Sequence, residues 1–302
     1  MLHRGTKMSY ETEDFTYARE LMDYLSPLHE DRWSRYRIFR GHGSGEFNLC
    51  PSVFRKSPTP RGVELSKDEV ARHVRFELSI LDTFLDGCDA SGIPVPADTP
   101  SLRLKLGERY RDVSFFNEFE GWPHDDTLPL LATAQHHGVL TCLLDWTKRS
   151  YVAAYFAASQ ALRQLESTNL NDSPENKTKK LVVWSLSTIH NRKWKLVKYV
   201  ESQGFVSVNR AAQDGVFTAT SLEAIKQNGI DGASLENIEE MYKVSPKGRP
   251  LLGRYSLPIN EAAHLLELCA AFGVKGSTLF PGYEGVAREV EDLRLAKRYK
   301  PY

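Results

Sequence analysis

A mixed α+β fold is predicted by two features of the chain. Helical apolar spacings cluster between residues 66 and 136, and short strand-like runs stand on either side of that cluster. The same layout predicts a single domain over residues 1–302, with a helical insertion at about residues 66–136.

Composition bounds what such a domain can be. The chain has 302 residues, enough for a substantial core, and its 41% apolar and 26% charged content is that of a globular protein rather than a disordered one. Formal net charge is zero, so no wide basic field for nucleic acid or acidic membrane is expected, although a local basic groove stays open. Cys50, Cys88, Cys142 and Cys269 lie far apart with no Cys-x-x-Cys pair. That pattern predicts reduced, buried thiols and no zinc site. Residues 1–9 are polar, and no stretch reaches the ~20 apolar residues of a membrane span, so the chain is expected to be cytoplasmic and off the membrane.

Taken in order, residues 14–29 carry helical spacing at Phe15, Ala18, Leu21, Met22 and Leu25, with Asp14 as the expected N-cap. Residues 36–41 alternate as a strand and run into the glycine-rich turn Gly41-His42-Gly43-Ser44-Gly45. Residues 66–86 form an amphipathic helix opened by a Ser66/Glu69 capping box, with Val70, Val74, Leu78 and Leu81 as its stripe. A connector at 89–100 precedes helices at 101–119 and 127–136, the latter stopping at Gly138. Residues 141–144 read as a buried strand leading through Asp145-Trp146-Thr147 into a helix at 152–162. Polar residues 166–180 read as an exposed loop. Strands are predicted at 181–186, 194–200, 254–257 and 277–280, and helices at 261–272 and 283–296.

Four stretches hold side chains with chemistry. Arg40 ends a strand and precedes Gly41, which sets a guanidinium beside open backbone and suits a phosphate or carboxylate. Gln135, His136, His137, Asp145 and Thr147 gather round an apolar strand, at whose mouth sites collect. Adjacent histidines diverge and seldom share one metal ion; they can equally be hydrogen-bonded structural groups, and Asp145 can equally cap the next helix. Gln213 sits in a Gly-containing turn and can hydrogen-bond an amide or a ribose. Glu284 follows Pro281-Gly282, either as a base or as a first-turn acid favouring the helix dipole.

Together these stretches resemble the FRG-domain family, over about residues 30–295. The matching text is Phe39-Arg40-Gly41, then Gln135-His136-His137-Gly138 running to Asp145-Trp146-Thr147, Ala153 to Ala157, Gln213-Asp214-Gly215 and Leu279-Phe280-Pro281. In order and local context the chain also resembles the mono-ADP-ribosyltransferases more distantly. That second resemblance implies a mainly antiparallel sheet core and NAD as a substrate. No Gly-x-Gly-x-x-Gly fingerprint follows a strand, which disfavours a Rossmann-type use of NAD.

The resemblance further implies roles. Arg40 would hold a phosphate or ribose of NAD, Thr147 would support the nicotinamide ribose, and Glu284 would steady the oxocarbenium-like charge as nicotinamide leaves. Trp146 or Tyr283 would stack on the nicotinamide, and Gly41, Gln135, His136, His137, Asp145 and Gln213 would complete the NAD site. No metal is required. Glu284 opens a helix where the transferase pattern has a strand, so Gln213 stands as its rival for the third catalytic position. The implied activity is ADP-ribosyl transfer to a protein or nucleic-acid acceptor, or NAD hydrolysis, as in a toxin or anti-phage effector. A ligand-sensing module without catalysis is the other reading. An inhibitory partner of the kind toxin-like enzymes have is not visible in these residues.

Overall fold

The computed structural model describes residues 10–30, 32–57, 63–111, 122–168, 178–201, 208–243 and 248–300. Its frame is a seven-stranded mixed sheet: β1 (Glu11–Asp14), β2 (Arg37–His42), β3 (Leu143–Thr147), β4 (Lys180–Ser187), β5 (Val197–Val200), β6 (Gly215–Thr220) and β7 (Leu252–Pro258). The strand order is β1-β7-β4-β2-β3-β6-β5. Only the edge pair β1–β7 is parallel; the other pairs are antiparallel.

Helices α1 (Ala18–Tyr24), α6 (Ser150–Thr168), α9 (Ala262–Ala271) and α11 (Tyr283–Tyr299) share an apolar core with β2, β4 and β7. Between β2 and β3 the chain makes α2 (Ser52–Lys56), α3 (Lys67–Ala90), α4 (Pro100–Arg111) and α5 (Leu128–His136). These pack a second core that reaches Leu143, Phe217 and Ala219 at the β3–β6 end of the sheet. A third core, built on Ile38, Trp146, Trp184 and Met241, also packs on the sheet. Among the described residues no helix is long and apolar enough to cross a membrane.

Most expected elements appear, with shifts that have local causes. The Ser66/Glu69 capping box forms as expected: Glu69 N–H donates to Ser66 Oγ at 3.3 Å and Ser66 N–H to Glu69 Oε2 at 2.9 Å. Asp14 does not cap the first helix. It ends β1, where its carboxylate accepts from Ser256 and pairs with Lys180, and the open edge of β7 captures residues 11–14 as a strand. The helix begins after Tyr17, with Glu20 accepting from the Thr16 and Tyr17 amides at 3.1 Å each. Residues 277–280 are not a strand. Gly276–Leu279 is a single helical turn, α10, too short for its periodicity to distinguish the two states. Helix α3 runs on to Ala90 into the expected connector, and α6 runs on to Thr168. Residues 112–119 of the expected helix and 169–177 of the expected loop lie outside the described residues. The Gly-containing turn at Gln213 is the junction of α7 (Val208–Gln213) and β6. Strand β1 and helix α8 (Leu222–Asn228) had no counterpart in the sequence reading.

Two packing features fix this frame. A Cβ built on Gly41 would stand 2.6 Å from the Ala157 amide and closer still to the Ala153 carbonyl. The Ala-rich face of α6 therefore lies directly on the β2 backbone, and only glycine admits that approach. In the second core, His73 and Glu77 are buried and joined at 2.7 Å, one helical turn apart on α3. His73 Nδ1 meets Ser57 Oγ at 3.0 Å, and Trp122 donates to Glu77 at 3.3 Å. Burial, then the nearby Glu77, push the Cys142 thiol pKa up, so that thiol is unreactive.

Two stability tests follow. Gly41→Ala should lower unfolding free energy by roughly 1–3 kcal/mol through overpacking, read from urea denaturation; an unchanged midpoint would refute the close approach. Glu77→Ala should cost about 3–5 kcal/mol, because it strands a buried imidazole; a loss below about 1 kcal/mol would show the pair to be solvated.

Candidate functional site

The sheet parts in its middle. β2 stays in register with β4 from Arg37 to His42, but with β3 it shares the single registered pair Phe39↔Thr147. A cavity of about 400 Å³ opens at this junction, and residues of β2, β3, α5, α6, α7 and α11 line it. Arg40, Gly41, His136, Asp145, Trp146, Thr147 and Gln213 all contribute to its lining.

Arg40 bridges the split. Its Nη1 donates to the Asp145 carbonyl at 2.6 Å and lies 3.7 Å from the Asp145 carboxylate. Its Nε donates to His42 Nε2 at 2.9 Å. That bond requires an unprotonated Nε2, and the His42 Nδ1–H donates in turn to the Phe47 carbonyl at 3.1 Å. Burial first, and the Arg40 charge second, pull the His42 pKa down to about 3. Burial also pulls Arg40 below its ordinary value, with Asp145 acting the other way. The Asp145 carboxylate accepts from Gln135 Nε2 at 2.8 Å, and Gln135 Oε1 accepts from the Thr141 hydroxyl at 2.6 Å. Asp145 therefore clamps α5 to β3 and does not cap the following helix, whose Arg149 N–H donates to Thr147 Oγ1 at 3.0 Å.

Thr147 is 4% exposed, and its hydroxyl donates to the Gln213 carbonyl at 2.7 Å. With Arg149 as its donor, the group is committed to backbone on both sides. Gln213 Nε2 donates to the Leu279 carbonyl at 3.1 Å, tying α7 to α10. The Trp146 ring belongs to the third core, 3% exposed, with its N–H on Thr218 Oγ1 at 3.0 Å. It offers no free face for stacking on a ligand.

The opposite wall is cationic and aromatic. Phe156 and Phe280 meet edge to face at 6.1 Å between centroids. The Arg288 guanidinium carbon lies 4.1 Å over the Phe280 ring. Arg163 is held by Asp292 at 2.6 Å. Arg40, Arg163 and Arg288 thus face the cavity with Asp145 as the carboxylate among its lining residues.

His136 touches this space. Burial, then His137 and Arg210, lower its pKa, while Asp145 and Glu284 act in the opposite sense. His137 meets it edge to face at 5.1 Å and is itself exposed. Arg210 is 8% exposed, stacks 4.0 Å over Phe217, and its Nη atoms have no hydrogen-bond partner among the described residues. Burial lowers its pKa to about 10.

Glu284 and Tyr283 are not among the lining residues. Tyr283 is 96% exposed. The Glu284 side chain is 76% exposed and lies 3.7 Å from Arg288, at the rim. The structure therefore brings Arg40, Asp145, Thr147 and Gln213 together and leaves Glu284 outside them.

Side chains missing from the sequence reading include His42, Phe156, Gln160, Arg163 and Arg288. The signal for three of them was present. Ala153, Phe156, Gln160 and Arg163 recur at helical spacing, on one face of α6. Gln160 also receives the Gly43 amide at 2.8 Å, joining that face to the turn after β2.

The FRG domain model matches residues 99–166. That segment carries α5, β3 and most of α6, hence His136, Asp145, Thr147, Phe156 and Arg163, while Arg40 and Gly41 lie outside it. No curated protein and no solved structure matches the chain at a significant level.

The His42 geometry sets a pH dependence. A native pKa near 3 against about 6.5 when unfolded means the unfolded chain binds the extra proton between those values. The contribution of His42 is whole above pH 6.5 and is lost as pH falls toward 3, at up to about 1.4 kcal/mol per pH unit. The stability gap between the wild-type protein and His42→Gln should therefore narrow on acidification from pH 6.5 to 4 in urea titrations. A constant gap would show that His42 titrates normally.

Proposed function

We propose that the cleft binds NAD, because the segment that matches the FRG domain model, residues 99–166, supplies side chains to both of its walls. The protein would then act as an NAD-dependent ADP-ribosyltransferase or NAD glycohydrolase, of the kind used by toxins and anti-phage effectors. The observation that carries this reading is the set of three guanidinium groups and two aromatic rings around the cavity at the sheet split. Guanidinium forks suit the two phosphates of a pyrophosphate, and the rings suit a flat base. The distant transferase resemblance and the mainly antiparallel sheet agree with it.

In this reading Arg40 holds a phosphate or ribose of NAD. Its position is preset by His42 and the Asp145 carbonyl, so little ordering remains to be done on binding. Thr147 acts by holding the Gln213 backbone rather than by touching the ribose. Stacking falls to Phe156 and Phe280, since Trp146 is committed to the core. The glycosidic bond breaks with its electron pair leaving on nicotinamide, and carboxylates stabilise the cationic sugar. Asp145 lies in the cavity, and Glu284 stands at its rim, 3.7 Å from Arg288. Water or an acceptor nucleophile then bonds to the same carbon and loses a proton to solvent.

One observation favours the sensor reading: Glu284 is exposed and stands outside the lining. The two readings separate on one pair of variants. Arg40→Ala should weaken NAD binding by about tenfold to a hundredfold in calorimetry and abolish nicotinamide release. Glu284→Gln should keep NAD binding and lose release. Retained binding with no release in the wild-type protein, with or without cell lysate, would favour the sensor; unchanged NAD binding in Arg40→Ala would overturn the site itself.

A further inference from the structure

A second concavity has a volume of about 670 Å³. Its lining includes Lys148, the residue that follows Thr147 of the cleft in the chain. The groove gathers Arg35 and Tyr36 ahead of β2, Lys148 after β3, Arg192 and Lys193 beyond β4, and Tyr199 on β5.

Its charge is a local concentration. The chain as a whole has formal net charge zero, yet four Lys and Arg side chains here face one carboxylate, Glu201. That carboxylate is already taken up, by Lys148 at 2.9 Å and the Tyr199 hydroxyl at 3.0 Å. Arg35, Arg192 and Lys193 are exposed.

The aromatic groups are held in place. The Tyr36 carbonyl accepts from both the Thr188 amide (2.7 Å) and the Thr188 hydroxyl (2.9 Å), while its side chain is 40% exposed. The Arg35 guanidinium carbon lies 5.0 Å over the Tyr36 ring and its Nη2 donates to the Tyr36 hydroxyl at 2.8 Å. Tyr199 is fixed through its bond to Glu201.

We infer that this groove binds single-stranded nucleic acid, with phosphates on Arg35, Arg192 and Lys193 and bases against Tyr36 and Tyr199. Cations interleaved with aromatic faces are what an unpaired strand requires; an acidic peptide would use the cations alone, and a duplex hides the base faces. Resting on the proposed function, the strand is the ADP-ribose acceptor. A base nitrogen or sugar hydroxyl bonds to the ribose carbon as the bond to nicotinamide breaks. Nicotinamide leaves with that electron pair, and the nucleophile's proton passes to solvent.

The test is fluorescence anisotropy of the full chain with a short labelled single-stranded oligonucleotide, as DNA and as RNA. Binding should weaken with salt, and Arg192→Ala with Lys193→Ala should lower the logarithmic salt slope by about two. Tyr36→Leu should weaken the strand by on the order of tenfold while leaving the salt slope in place. Polyglutamate and duplex DNA should compete poorly. Thermal melts of the exposed-residue variants, equal to wild type, keep the result readable.

Strand binding unmoved by both changes, absent at low salt, or displaced equally well by polyglutamate or duplex would overturn the inference. Arg40→Ala should leave strand binding intact, which separates this site from the cleft. Groove-dependent strand binding without nicotinamide release would sink NAD turnover and the acceptor role while supporting the groove. Nicotinamide release with no labelled ADP-ribose on a bound strand would overturn the acceptor role alone.

Discussion

The contact between Gly41 and α6 governs the geometry of everything around it. With no side chain at Gly41, the Ala153–Ala157 segment lies against the β2 backbone. That approach sets the depth of the α6 face carrying Phe156 and Arg163, and so the width of the cavity between α6 and the sheet. A helix held off by a single methyl group would move both side chains relative to Arg40. The Phe-Arg-Gly stretch thus joins a cavity-lining cation to a packing requirement in adjacent positions, and neither could shift without the other.

The architecture was legible where periodicity was long. Helix α3 shows a stripe and a capping box, and both appear in the structure, although its end comes four residues later than expected. The central strands β2, β3, β4 and β7 also stand out as apolar runs. What could not be read depends on partners distant in sequence. Residues 11–14 become a strand because β7 presents an unpaired edge, which no local pattern reveals. Residues 276–279 offer one turn, and one turn has no period.

The same division runs through the candidate site. Arg40, Asp145, Thr147 and Gln213 were identifiable from glycine context and strand ends, and they meet in one cavity. Their hydrogen-bond assignments were not identifiable. Thr147 and Asp145 are both polar and both at a strand mouth, yet one is consumed by backbone and the other stays half exposed between Gln135 and Arg40. Trp146 was read as a stacking group, yet alternation along a strand decides which face a ring takes, and its ring packs in the third core. Arg288 lies one helical turn beyond Glu284, so the rim carboxylate marked the right helix while the cation inside the cavity went unremarked.

Arg40 explains why an arginine stands at the split. A guanidinium carries five N–H groups in a fixed fork, and here Nε is fixed by His42 and one Nη1 proton by the Asp145 carbonyl. Beyond the last register pair of β2 with β3, that carbonyl takes its hydrogen bond from a side chain rather than from a strand amide. The remaining protons are oriented toward the Asp145 carboxylate and the cavity. A lysine could satisfy one of these acceptors but not hold a plane across both. The arrangement also needs a neutral His42, since a protonated Nε2 would turn an acceptor into a second donor facing Arg40. Burial supplies that neutrality. The split in the sheet, the buried imidazole and the aimed cation therefore form one device, in which the backbone defect that opens the cavity is also what fixes the group inside it.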